Sequence, residues 1–100
     1  MPSSKLVRDR IPEIIQETGE TPVTHIADDF EYWEKLREKL QEEVSEFLES
    51  ENPEELADIL EVLEAIYTHQ KIDPTELMKT KKDKAEKRGG FAKRIILDRI

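Results

Sequence analysis

Residues Lys39–Ile66 read "KLQEEVSEFLESENPEELADILEVLEAI", with nine Glu and one Asp set among leucines, valines and isoleucines at helical spacing. The run breaks at "SENPEE", where Asn52 suits an N-cap and Pro53 the first position of a new helix. Two helices joined by so short a turn are antiparallel neighbours. At about 100° per residue with Leu36 at zero, Trp33, Leu40, Val44, Phe47 and Leu48 fall at roughly 60, 40, 80, 20 and 120°. Glu43 comes out near −20°, at the edge of the apolar stripe, with Glu46 near −80° and Glu42 near −120°. Glu34, Glu38 and Glu49 point away, as ordinary solvent-face residues.

The second helix repeats the anomaly. With Leu56 at zero, Leu60, Leu63, Tyr67, Ile59, Ile66 and Val62 span roughly −120 to +40°. Glu55 falls near −100°, inside that arc, and Asp58 about 40° beyond Val62, on its flank. Glu54 and Glu61 lie opposite the stripe. Counting along the axes from the turn, Glu46 and Glu43 lie roughly 6 and 10 Å before the end of their helix, and Glu55 and Asp58 roughly 5 and 9 Å into theirs. Glu43, Glu46, Glu55 and Asp58 therefore meet at one level between the helices. Half-buried anions cluster where a cation neutralises them. Oxygen-only ligands select Mg²⁺ or Mn²⁺. The plain alternative is that edge carboxylates snorkel and pair with nearby lysines.

The rest of the chain extends an all-α plan. One hundred residues make a single domain, 1–100. A first helix is expected over 9–18, with Asp9 as cap, Pro12 in the first turn and Gly19 as stop. The long helix 28–50 opens at Asp28 or Asp29. The helix after Pro53 runs to about Gln70. "DPTE" (73–76) starts a last helix, with Asp73 as cap and Pro74 at its first position, and Gly89 and Gly90 end it. The β-leaning segments 21–27 and 92–98 are read as two short strands able to pair. His25 and His69 lack the Glu-x-x-His spacing of di-iron bundles and read as surface or packing residues.

Composition narrows the function. The net charge of −8, with 24 acidic against 16 basic residues, argues against a nucleic-acid binder. Without cysteine, disulfides, thiolate metal sites and thiol nucleophiles are excluded. No apolar run approaches the roughly 20 residues of a membrane span, and the N-terminus has no secretory h-region. A cytoplasmic protein is expected. The apolar arc of the second hairpin helix is about 160° wide, more than one neighbour covers, so a homodimer or higher homo-oligomer is expected too.

"EEVSE" (42–46) followed by "ELAD" (55–58) resembles the E-E-x-x-E … E-x-x-D signature of the MazG-like all-α nucleoside triphosphate pyrophosphohydrolases. "KLVRDRIP" (5–12) and "KRGGF" (87–91) resemble the phosphoribosyl-ATP pyrophosphohydrolase-like branch of that superfamily. The eight residues between Glu46 and Glu55 are fewer than its usual spacer. The resemblance implies a four-helix MazG-like arrangement and Mg²⁺-dependent cleavage between the α- and β-phosphates of a nucleotide. It places metal on Glu43, Glu46, Glu55 and Asp58, and gives Glu42 the part of a further ligand or of the group orienting the attacking water. Glu42 and Glu43 are thus the expected catalytic carboxylates.

On the last helix, with Leu77 at zero, Lys81, Lys84 and Arg88 fall at roughly 40, −20 and 20°. That basic line suits phosphate binding, as do Arg8 and Arg10 more weakly. A helix C-terminus also collects cations because of its dipole. The functional expectation is a pyrophosphohydrolase acting on a nucleoside triphosphate, with phosphoribosyl-ATP as the less favoured substrate. The rival is a non-catalytic acidic helical module that meets a basic partner.

Overall fold

A computed structural model of the chain describes residues 4–100. These form α1 (Ile11–Glu17), α2 (Asp29–Ser50), α3 (Pro53–His69) and α4 (Pro74–Arg88), with no strand among the described residues. Three of the four starts are set by side chains that accept an otherwise unpaired backbone N–H. Asp28 accepts from Glu31 at 2.8 Å, Asn52 from Glu54 at 2.9 Å and Asp73 from Thr75 at 2.8 Å. Pro53 and Pro74 follow their caps, where a missing N–H costs nothing.

α1 begins later than the sequence suggested. Asp9 does not cap it. The N-cap is Arg10, with no side-chain bond, and Pro12 falls in the opening positions. The fixed ring of Pro12 suits a helix start, so the helix begins beside it rather than at Asp9. Gly19, at φ 91°, ends the helix as expected.

α2 and α3 pack side by side and form the structural centre. The turn between them is only two residues long. Glu51 takes the left-handed conformation (φ 55°) and donates its N–H to the Phe47 carbonyl at 2.7 Å, and Asn52 already caps α3. Leu36 on α2 is fully buried and Val62 on α3 nearly so. His69 closes the far end of the hairpin, stacked on Trp33 and edge-on to Tyr32.

The packed sector of α3 contains Val62, Ile59 and Ile66, which leaves Leu56, Leu60 and Leu63 exposed. One neighbouring helix covers only half of a wide apolar arc.

The two expected strands do not form. Val23 and Ile26 are almost fully exposed, as are Ile95 and Ile96. β-Propensity expresses fit to a half-buried pleated surface, and neither segment has such a surface beside it. No helix among the described residues is long and apolar enough to cross a membrane.

Candidate metal centre

The hairpin brings three carboxylates from its two helices together. Glu43 of α2 and Glu55 and Asp58 of α3 each offer an oxygen within 4.8 Å of the others. Glu43 and Glu55 lie on the sides of α2 and α3 that face each other, and the two-residue turn sets them at one height. Glu43 is the most deeply placed charged residue, 6% exposed. Its Oε1 meets Lys39 Nζ at 3.2 Å, while its Oε2 is buried with no hydrogen-bond partner among the described residues. An ionised oxygen in that position has lost its water and gained nothing in exchange.

The electrostatics follow from that crowding. Burial pushes the Glu43 carboxyl above its ordinary value. Lys39 pulls it back through a hydrogen bond and its charge, and the charges of Glu46 and Asp58 add to the rise. The Glu55 carboxyl is raised as well, by lost solvation first and then by the charges of Asp58 and Glu43. Like charges at this spacing disfavour joint ionisation unless a cation enters.

Glu46, expected as a fourth member, is exposed and stands outside the trio, although its charge acts on Glu43. Glu42 is half-buried on the flank, 3.7 Å from Lys39 and 3.9 Å from Lys5. Beside it, Ser4, Lys5, Leu6, Lys35, Glu38, Lys39 and Glu42 line a shallow recess of about 220 Å³ that adjoins the trio without containing it. Arg8 reaches across from the N-terminal segment, with Nη2 2.7 Å from Asp58 Oδ1 and Nη1 3.8 Å from Glu61. Arg10 instead pairs with Glu13 on its own helix at 3.4 Å.

Lys81, Lys84 and Arg88 are exposed and make no ion pair among the described residues. Only Leu77 of α4 is even half-covered, so this chain does not bring the basic line to its own carboxylates. His25 stands 2.8 Å from Glu31, and neither histidine belongs to the acidic cluster.

Lys39 escaped the sequence reading. Its spacing of three and four residues before Glu42 and Glu43 is the helical signal that marks it.

The donor set fits a hard divalent cation. It offers oxygen only, from three side chains on two rigid helices, and one of its buried oxygens has no partner.

No protein-family model and no solved structure matches the chain. A protein of Mycolicibacterium smegmatis described as uncharacterized is 56% identical to it over 43 residues, which are 43% of this chain and 44% of that one. The chain thus spans under half the length of the curated relative it matches.

Proposed function

We propose that the protein is a divalent-metal-dependent nucleotide pyrophosphohydrolase of the MazG-like kind, with Glu43, Glu55 and Asp58 as the metal-holding set. The observation that carries this reading is the buried, partnerless Oε2 of Glu43 beside two further carboxylates. An acidic face that serves only to meet a basic partner would present its charges outward. Glu43 points inward, and its burial is unfavourable unless a cation completes the site.

A divalent ion held there supplies Lewis acidity and neutralises charge on a phosphoryl group. The chain's own residues divide the remaining work. Glu43, Glu55 and Asp58 bind from two rigid helices, which fixes their geometry. Glu46, exposed outside the trio, is the further ligand that the solvent side lacks. Glu42 orients the attacking water. Arg8, whose fork already lies against Asp58, turns its remaining N–H groups to a phosphate oxygen. The substrate is a nucleoside triphosphate, cleaved to monophosphate and pyrophosphate.

The test is pyrophosphate release from a panel of nucleoside triphosphates and phosphoribosyl-ATP, with Mg²⁺, Mn²⁺ or EDTA. Metal-dependent release, abolished by EDTA, supports the reading. Absence of release from every member with both metals removes it in favour of the non-catalytic acidic module.

A further inference from the structure

The isolated chain exposes far more surface than its mass calls for. A compact monomer of this mass exposes about 5,900 Å², whereas this chain exposes 9437 Å². Its radius of gyration is 17.8 Å, against about 13 Å for a compact domain of this length. The excess of roughly 3,500 Å² per chain is more than the roughly 1,000–2,500 Å² that each partner of an obligate homodimer buries, so it leaves ample surface for such an interface.

Two apolar surfaces contribute to it. One is the side of the hairpin away from the acidic trio, where Val44, Leu48, Leu56, Leu60 and Leu63 are exposed. On antiparallel helices their angles place them on one common side. The other is the C-terminal arm, made of α4 and residues 89–100, in which Phe91, Ile95, Ile96, Leu97 and Ile100 are exposed.

Charge divides the same way. Residues 29–69 carry fourteen Asp and Glu against three Lys and Arg, a net −11. Residues 74–100 carry nine Lys and Arg against four Asp and Glu, a net +5. A basic arm with an apolar surface and an acidic hairpin with an apolar face, each uncovered by the other, attract between two copies through their opposite net charges.

We infer that the occupant of the hairpin's apolar face is the C-terminal arm of a second copy of this chain, exchanged reciprocally in a two-fold dimer. A two-fold interface repeats each contact, so both arms and both faces are covered at once. The inference is independent of the metal reading. The residues involved lie on the other side of the hairpin from the carboxylates.

Light scattering coupled to size exclusion tests it on the full chain. The parent is expected at about twice 11.7 kDa. The tail variant Ile95→Asp/Ile96→Asp and the face variants Leu60→Asp and Leu48→Asp are each expected to fall to the monomer mass. These positions are exposed in the single chain, so unchanged helical circular dichroism is the folding control. An equimolar mixture of tail and face variants keeps one intact arm–face pair and is expected to recover dimer. A parent that stays monomeric at 100 times the working concentration would overturn the exchange. So would a tail variant that remains dimeric while the face variants dissociate, because the hairpins would then pack face to face without the arm.

Discussion

Lys39 and Glu43 stand one turn apart on α2, and the lysine satisfies only one of the two carboxylate oxygens, leaving Oε2 buried and unpaired. Lys39 on Glu43 and Arg8 on Asp58 are thus two cations against three carboxylates. Lys39→Met should remove the one that Glu43 has. Breaking a fully buried pair costs about 3–5 kcal/mol. This pair is partly open, so a loss of about 2 kcal/mol in metal-free stability is expected. Adding Glu43→Gln to Lys39→Met should restore most of it. Additive losses in the denaturant cycle would show that the two groups are not coupled.

Metal should act in the opposite direction. Millimolar Mg²⁺ or Mn²⁺ should raise the melting temperature of the parent, since a ligand at 100 times its dissociation constant stabilises by about 2.7 kcal/mol. Glu43→Gln should lose most of that increment. Superimposable melting curves in EDTA and in 10 mM Mg²⁺ would count heavily against a formed site.

The pH dependence has a definite sign. The folded Glu43 carboxyl titrates above its ordinary value, chiefly through burial. Its contribution to stability is therefore full below the ordinary glutamate range and is lost as pH rises through the raised value. Glu43→Gln removes that loss. In EDTA the melting difference, variant minus parent, should be near zero at about pH 4 and grow positive toward neutrality. A difference that shrinks with rising pH would mean that Lys39 outweighs burial.

Much of this architecture was legible beforehand, and the reasons are local. Asp28, Asn52 and Asp73 announce helix starts because a short polar side chain bonds a backbone N–H two or three residues on. Glu43 and Glu55 were found by angle, since helical periodicity alone decides which side of a helix meets its neighbour. The strands failed because Val23, Ile26, Ile95 and Ile96 record a preference whose partner surface is absent. The placement of Lys81, Lys84 and Arg88 was not readable either. It depends on how α4 leaves α3 through Gln70–Asp73, where Lys71 takes a positive φ of 58°. No periodicity within α4 encodes that.

Arg8 and Arg10 lie two residues apart and offer a matched comparison. Arg8→Gln should lower kcat/KM for a triphosphate about 10-fold, while Arg10→Gln, which loses only a contact within its own helix, should change it little. Stability should move by less than about 1 kcal/mol in either, as both pairs are exposed. Equal losses that vanish together at high salt would reduce Arg8 to general electrostatic steering.

Binding of Mn²⁺ followed by electron paramagnetic resonance bears most directly on the carboxylate centre, because it needs no substrate. The parent should show saturable binding that Glu43→Gln and Glu55→Gln each weaken by at least the roughly 10–100-fold that losing a ligand's outer partner already costs. Glu49→Gln, on the solvent face of α2, should bind as the parent does. No saturable binding, or the same weakening in all three variants, would contradict a metal centre built by Glu43, Glu55 and Asp58.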